Sequence, residues 1–140
     1  MNVYFACSIT GGRQDAGVYQ IIVDAMQAAG HEVPTALLAC EKVVDLEIVV
    51  EPEEVYTRDV AWIDDSDALV AEVSTPSHGA GYEIAHALRK GKPVLCVHRA
   101  GVLVSKMLTG NTHANISIRA YQSDAEAARI VIDFLKALED

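Results

Sequence analysis

Val70-Ala-Glu-Val-Ser-Thr-Pro-Ser-His-Gly-Ala-Gly-Tyr-Glu83, which continues into Ile84-Ala-His-Ala-Leu-Arg-Lys90, is the segment that decides the fold. It begins with a short apolar run rich in β-branched residues, as a buried strand does, and the run is broken at Thr75-Pro76. After two glycines, apolar residues recur at helical spacing. The segment therefore predicts a strand, a loop and a helix, the unit from which open parallel α/β sheets are built.

The loop of this unit has the composition of an anion site. Gly79 and Gly81 let backbone N–H groups approach a ligand closely, and Ser77 adds a hydroxyl. The N-terminus of the following helix carries a partial positive charge suited to phosphate. Glu83 falls in the first turn of that helix, so its carboxylate would stand beside the phosphate. Acids in first helical turns also complement the helix dipole, so spacing alone leaves the role of Glu83 open.

Strands and helices alternate along the rest of the chain. This order predicts one domain, residues 1–140, with a five-stranded parallel sheet covered by helices on both faces, a flavodoxin-like or Rossmann-like three-layer sandwich with right-handed crossovers. The predicted strands are Val3–Cys7, His31–Ala39, Ala68–Val73, Pro93–His98 and Asn115–Tyr121. The predicted helices are Gln14–Ala29, Glu53–Asp65, Gly81–Lys90, Gly101–Gly110 and Ser123–Leu138, and Cys40–Pro52 is left unassigned.

The predicted helix Glu53–Asp65 carries an acid on its apolar face. At 100° per residue, Val55 and Ile63 lie on one apolar arc with Asp59 near its middle. A carboxylate on a core-facing arc must be paired, hydrogen-bonded or directed into a cavity, because burying an unpaired charge is expensive. Asp59 is therefore a better functional candidate than the acids of the polar face. The structural alternative is a buried aspartate bound to a backbone amide or an arginine.

Composition excludes several classes of function. A net charge of -9 and a pI of about 4.9 argue against binding of polymeric nucleic acid, although a local pocket could still hold one nucleotide. No long uncharged apolar run predicts a membrane span, and the N-terminal residues lack the basic region of a signal peptide, so we expect a cytoplasmic location. Three cysteines without C-x-x-C spacing and five histidines without ligand spacing predict neither a disulfide framework nor a metal site.

A second polar loop, Ser8-Ile-Thr-Gly-Gly-Arg13, follows the first predicted strand. In doubly wound folds this loop usually contacts a ligand, although Gly11 and Gly12 could merely turn the chain into the next helix. Two acids near one anion-binding crevice, without a metal, fit cleavage at an anomeric carbon. One of Glu83 and Asp59 would attack as the nucleophile while the other manages protons or orients the sugar.

Four ordered blocks resemble the 2'-deoxynucleoside 5'-phosphate N-hydrolase family, within the nucleoside 2-deoxyribosyltransferase superfamily. They are Tyr4-Phe-Ala-Cys-Ser-Ile-Thr-Gly-Gly-Arg13, Arg58-Asp-Val-Ala-Trp62, Glu72-Val-Ser-Thr-Pro-Ser-His-Gly-Ala-Gly-Tyr-Glu83 and Val104-Ser-Lys-Met107. The match covers most of the chain, and its most specific motif is Pro-Ser-x-Gly-x-Gly-Tyr-Glu.

The resemblance implies an N-glycosidase that uses no metal and no organic cofactor. Glu83 would attack C1' and form a glycosyl-enzyme intermediate, Asp59 would assist departure of the base and orient the sugar, and Tyr4 would position the catalytic carboxylate. The remaining implied contacts are Ser77, Gly79, Gly11, Gly12 and Arg13 to the 5'-phosphate, Ile9 to the nucleobase, Ser8 in the same loop, and Ser105 and Met107 from the second subunit of a homodimer.

Other readings stay open at this stage. Members of the same superfamily transfer deoxyribose between bases or act on ribonucleotides such as CMP. A non-catalytic nucleotide-binding module would need the phosphate loop but not both Asp59 and Glu83. A flavodoxin-like electron carrier would need flavin-stacking aromatic residues in its loops, and none is placed for that role.

Overall fold

The computed structural model describes residues 1–12, 14–40 and 43–140. Its strands form one parallel sheet of four strands in the order β1-β2-β3-β4. The strands are β1 (Val3–Ala6), β2 (Ala68–Glu72), β3 (Val94–Arg99) and β4 (Ile116–Tyr121). The helices are α1 (Ala16–Ala28), α2 (Val43–Glu47), α3 (Pro52–Asp65), α4 (His78–Arg89), α5 (Lys106–Thr109) and α6 (Asp124–Glu139), with a 3-10 turn at Ala36–Ala39.

Helices cover both faces of the sheet, which explains why every residue of β1 and β2 is buried. Side chains alternate along a strand, so Val3 and Phe5 pack into the layer that contains α1 and α6. Tyr4 and Ala6 face the opposite layer, which contains residues of α3 and α4. This alternation directs the Tyr4 side chain toward the helix that carries Glu83.

The prediction of five strands is wrong for the described part of the chain, because His31–Ala39 forms only one bridge, between Asn2 and Glu32. Pro34 has no backbone N–H and cannot continue the ladder. In place of a strand carbonyl, the Oγ1 of Thr35 accepts the hydrogen bond from the Phe5 N–H at 2.9 Å. The chain then turns into the 3-10 segment. β1 is therefore an edge strand, with its outer amide bonded to a side chain.

The predicted helices differ from the observed ones in their limits, most clearly at the starts of α4 and α5. Helix α4 begins at His78, before Gly81, because the Ser77 side chain caps it. Helix α5 begins only at Lys106, after the left-handed turn at Gly101 (φ +84°), and Ser105 caps it. The unassigned segment contains the short helix α2 and ends where Pro52 opens α3. None of the helices in the described ranges combines the length and apolar character that a bilayer crossing requires.

Candidate active site

A cavity of about 430 Å³ lies beside the carboxyl end of β1, and the loop after β1 and three helices form its walls. Both acids singled out from the sequence, Asp59 of α3 and Glu83 of α4, line it. The other lining residues are Ile9, Thr10, Glu47, Val50, Pro52, Val55, Tyr56, Val60, Ile63, Gly79 and Tyr82. The walls are thus largely apolar, and three carboxylates, those of Glu47, Asp59 and Glu83, line the same space.

The Glu83 side chain is hydrogen-bonded to Tyr4 of strand β1. The Tyr4 hydroxyl donates a hydrogen bond to Oε1 of Glu83 at 2.9 Å, which joins residues 79 positions apart. Burial raises the pKa of Glu83 to about 8, the Tyr4 hydrogen bond opposes this rise, and the nearby charge of Asp59 adds to it. Burial, followed by the negative charges of Glu83 and Asp59, also raises the pKa of Tyr4, so the phenol keeps its proton and stays a donor. The pair fixes the direction of the Glu83 carboxyl group.

Asp59 is 9% exposed, as its place on the apolar arc of the helix predicts. Its neighbour Arg58 donates from Nε to Oδ1 of Asp59 at 2.8 Å and from Nη1 to Oε1 of Glu47 at 3.1 Å. Burial raises the pKa of Asp59, and the Arg58 hydrogen bond and charge counteract the rise. The arginine thus stabilises the ionised form of an otherwise poorly solvated carboxylate.

Two loops meet at the N-terminus of α4, where the sequence predicts the phosphate site. Ser77 Oγ accepts the Ala80 N–H at 3.2 Å, and the next residues supply helical amides without intrahelical partners. Gly11 packs directly on this loop, because a Cβ added to Gly11 would lie 2.3 Å from the Pro76 carbonyl oxygen. Gly12 has a φ of +133°, a conformation that favours glycine. Arg13, the predicted cationic ligand, lies outside the described residues.

Replacing Gly11 with alanine should therefore weaken nucleotide binding. The new methyl group cannot fit against the Pro76 backbone, so the loop after β1 has to move away from the start of α4. We expect the unfolding free energy to fall by about 1–3 kcal/mol and KM for a nucleoside 5'-monophosphate to rise by about tenfold or more. Gly17→Ala in α1 is the control, since a Cβ there meets nothing within 4 Å. A Gly11→Ala variant with unchanged KM would contradict the close approach of the two loops.

Two buried carboxylates, Asp15 and Glu72, hold the loop between β2 and α4 in place. Asp15 accepts from Thr75 Oγ1 at 2.8 Å through one oxygen and from the guanidinium of Arg99 through the other. Asp15 and Thr75 are both buried. The loop after β2 is thereby attached to the start of α1 and to the end of β3.

The second carboxylate is Glu72, which has no exposed surface. It accepts hydrogen bonds from the Tyr121 hydroxyl at 2.9 Å and from the hydroxyl of Ser74, whose oxygen in turn accepts the Arg99 N–H at 2.7 Å. Burial is the main cause that raises the pKa of Glu72. Since its contacts are all internal, we interpret Glu72 as a structural residue of the loop.

Ser105 and Met107 do not lie in the cavity of Glu83. They line a separate groove of about 450 Å³, together with Ser77 and apolar residues of α4. Leu103 and Met107 in this groove are 90% and 83% exposed. Within one chain, the structure therefore brings Tyr4, Asp59, Glu83, Ile9 and Gly79 together, while Ser105 and Met107 are on the other side of the start of α4. Ser8 is buried directly after β1.

Sequence reasoning missed several residues of the cavity wall. Tyr56 and Tyr82 line the cavity and place their hydroxyls 3.2 Å apart. Glu47 comes from the segment left unassigned, where nothing distinguishes it from neighbouring acids. Arg58 could have been found as the immediate neighbour of the buried Asp59.

In the described ranges, no group of three or more His, Cys, Asp or Glu side chains is arranged to hold a metal ion.

Known proteins share both the sequence pattern and the fold. A 5-hydroxymethyl-dUMP N-hydrolase of Danio rerio is 36% identical over 142 residues, covering 99% of this chain and 98% of its own. A provisionally named 2'-deoxynucleoside 5'-phosphate N-hydrolase of Methanosarcina mazei is 40% identical over 137 residues, covering 98% and 85%. The fold is also that of the Clostridium botulinum CMP N-glycosidase, with a TM-score of 0.70, 17% identity and coverage of 94% and 99%.

The profile of one family spans nearly the whole described domain. The nucleoside 2-deoxyribosyltransferase profile matches residues 3–126, a range that contains Tyr4, Asp59, Glu83 and the loop between β2 and α4. Together with relatives that are well above 30% identical over almost their full length, this match identifies the family. The chain belongs to the nucleoside 2-deoxyribosyltransferase family.

Proposed function

We propose that this protein hydrolyses the N-glycosidic bond of a 2'-deoxynucleoside 5'-monophosphate, releasing the free nucleobase and deoxyribose 5-phosphate. The observation that carries the proposal is the joint placement of Glu83 and Asp59 in one largely apolar cavity, beside the helix N-terminus that begins after Ser77. The names of the N-hydrolase relatives from Danio rerio and Methanosarcina mazei support the reaction and the deoxynucleotide substrate.

In the proposed first step, Glu83 reacts in its ionised form, which is the minor form below its raised pKa of about 8, and a carboxylate oxygen attacks C1' of the sugar. The C1'–N bond breaks, its electron pair leaves with the base, and the base takes up a proton from solvent water. Tyr4 supports the step because its hydrogen bond stabilises the Glu83 anion and directs the carboxylate. Asp59, whose ionised form Arg58 favours, orients the sugar hydroxyl and stabilises the positive charge that develops on the ring.

In the proposed second step, water attacks C1' of the glycosyl ester. The water oxygen replaces the Glu83 oxygen, a proton leaves to the surrounding groups, and the carboxylate is regenerated. The apolar residues Ile9, Val55 and Ile63 would surround the base and sugar and limit the access of other water molecules. Ser77, Gly79, the loop with Gly11 and Gly12, and Arg13 would hold the 5'-phosphate.

We further propose that the active unit is a homodimer in which the groove of one subunit faces the cavity of the other. The strongly exposed Leu103 and Met107 support this, because large apolar side chains at such exposure gain from being covered. Ser105 and Met107 would then reach the phosphate and the base of the partner's substrate. The cytoplasmic location expected from the sequence stays a prediction.

Leu103→Glu should separate the subunits without unfolding them. Leu103 is 90% exposed, so the monomer loses almost no core contact. In the proposed interface each new carboxylate would face the partner's cavity, which Glu47, Asp59 and Glu83 line, and bringing like charges together there costs on the order of several kcal/mol, so we expect a monomer and a loss of activity of at least about tenfold. Light scattering after size exclusion and kcat/KM at several protein concentrations test this. Leu37→Glu, at an exposed residue of the 3-10 turn, is the control, and a monomeric but fully active Leu103→Glu protein would refute the shared site.

The proposed reaction is tested by measuring base release from a panel of deoxyribonucleoside and ribonucleoside 5'-monophosphates, with the corresponding unphosphorylated nucleosides alongside. Release from deoxynucleotides but not from nucleosides is the expected result. Preference for ribonucleotides would assign the CMP-type activity instead. Adding a second free base distinguishes hydrolysis from transfer, because a transferase forms a new nucleotide. Binding without any release would favour a non-catalytic module.

A further inference from the structure

We propose that Glu47 is a positioning residue of this reaction, which acts through Arg58 to hold the Asp59 carboxylate in place. This inference rests on the proposed function, since it assigns to Glu47 the role of holding Asp59, one of the two acids of the proposed reaction. It concerns the last residue of the short helix α2, Glu47, which lines the cavity.

The contacts form a chain from α2 to the cavity. Both nitrogens of the Arg58 fork donate to Glu47, from Nη1 to Oε1 at 3.1 Å and from Nη2 to Oε2 at 3.4 Å. The third donor, Nε, bonds Oδ1 of Asp59 at 2.8 Å. Paired, two-point contacts of this type fix the plane of a guanidinium group, so Glu47 determines where Nε points. The Trp62 ring supports the same group, with Cζ of Arg58 4.9 Å from the ring centroid.

The same contacts argue that Arg58 does not bind the substrate phosphate. Its fork is engaged by one carboxylate and its Nε by another, and the aromatic ring of Trp62 lies against the guanidinium. The side chains of Glu47, Arg58 and Asp59 are only 15%, 26% and 13% exposed, so solvent weakens these pairs less than it weakens surface pairs. Because each of its three guanidinium nitrogens already donates to a carboxylate, Arg58 serves to hold these partners in place.

Titratable groups from four elements surround Asp59. Arg58 of α3 favours its ionised form, and the carboxylate of Glu47 on α2 disfavours it. Glu83 of α4 and Tyr4 of β1 are coupled to its charge across the cavity. Glu47 thus has two opposite effects on Asp59, a direct repulsion and an indirect attraction through the orientation of Arg58. The two effects can be separated by experiment.

The kinetic test is a double-mutant cycle with Glu47→Gln and Arg58→Met. In the wild-type background, Glu47→Gln should lower kcat by about tenfold to a hundredfold and leave KM within about twofold, because a misplaced catalytic group affects the transition state more than binding. In the Arg58→Met background, the same change should alter kcat by less than about twofold. Asp45→Asn, an exposed carboxylate on the same helix, is the matched control and should keep wild-type kcat.

An NMR titration of the Asp59 side-chain carboxyl carbon provides a readout that needs no turnover. Glu47→Gln should raise the pKa of Asp59 when Arg58 is present, because the arginine is released from its position, and lower it when Arg58 is methionine, because only repulsion is removed. The inference is overturned if Glu47→Gln shifts the pKa of Asp59 in the same direction with Arg58 and with methionine at position 58. It is also overturned if Glu47→Gln lowers kcat equally in these two backgrounds. If the wild type releases no base from any nucleotide, the proposed function fails and the titration still decides the role of Glu47.

Discussion

Base release by the Glu83→Gln variant should be at least about a thousandfold slower than by the wild type, the scale of loss seen when an enzyme's nucleophile is removed. Glutamine has nearly the same size as glutamate and can still accept the Tyr4 hydrogen bond, so the cavity keeps its shape. Its amide, however, is a poor nucleophile toward C1'. The loss should appear in kcat, while nucleotide binding measured by calorimetry stays within about threefold of the wild type, since mainly the transition state is affected.

The control for this variant is Glu54→Gln, an exposed acid in the first turn of α3. It makes the same chemical change outside the cavity and should retain full activity. Trapping provides a second readout, because a slow substrate should leave a glycosyl ester on Glu83 in the wild type, detectable by mass spectrometry of the intact chain. If Glu83→Gln keeps more than about a tenth of wild-type kcat, Glu83 is not the nucleophile and Asp59 becomes the candidate.

The unfolding free energy of the wild type should decrease as pH rises. In Glu83→Gln this decrease should be smaller, because residue 83 no longer titrates. The pKa of Glu83 is raised from an ordinary 4.5 to about 8 in the folded protein, mainly by burial. The native state therefore holds a proton that the unfolded state has lost, so this stabilisation is complete below pH 4.5 and disappears as pH rises through about 8. Within this window the unfolding free energy of the wild type should decrease relative to Glu83→Gln by up to about 1.4 kcal/mol per pH unit.

Urea unfolding of both proteins from about pH 4 to pH 9, at one fixed protein concentration, tests this expectation. Asp59 and Glu72, whose pKa values are also raised, contribute to both curves, so the difference between the curves isolates Glu83. The difference in unfolding free energy between the wild type and Glu83→Gln should level off toward both ends of the pH range. Between the ends it should change in the direction that disfavours the wild type as pH rises. Parallel curves throughout would mean that Glu83 is solvated in the folded protein.

The unit β2–loop–α4 could be predicted from sequence because its signals are local. The β-branched run, Pro76, Ser77 and the glycines each act within a few residues, and Asp59 could be placed on the buried side of α3 by helical geometry alone. The limits of helices were less well predicted. Capping by Ser77 moved the start of α4 to His78 because a cap is set by backbone geometry around one side chain.

Contacts between distant segments could not be derived from spacing. The pairing of Tyr4 with Glu83 follows from the strand order of the sheet, and in the sequence only the family resemblance indicates it. The position of Glu47 is fixed by Arg58, from another helix, and not by any signal in its own segment. The predicted strand at His31–Ala39 failed for a related reason, since the Thr35 side chain takes over a hydrogen bond that periodicity assigns to a strand.

The outer edge of β1 is bonded to the Thr35 side chain and not to a further strand, and this affects how readily the protein aggregates at high concentration. An edge strand with unsatisfied amides offers a template on which strands of other molecules can assemble. In β1 the Phe5 amide is bonded by Thr35 and the Val3 amide by the Glu32 carbonyl, so the outer edge offers little to an incoming strand. The connection that follows Thr35 is also released from sheet register, so its length can vary between relatives without shifting the strand that carries Tyr4.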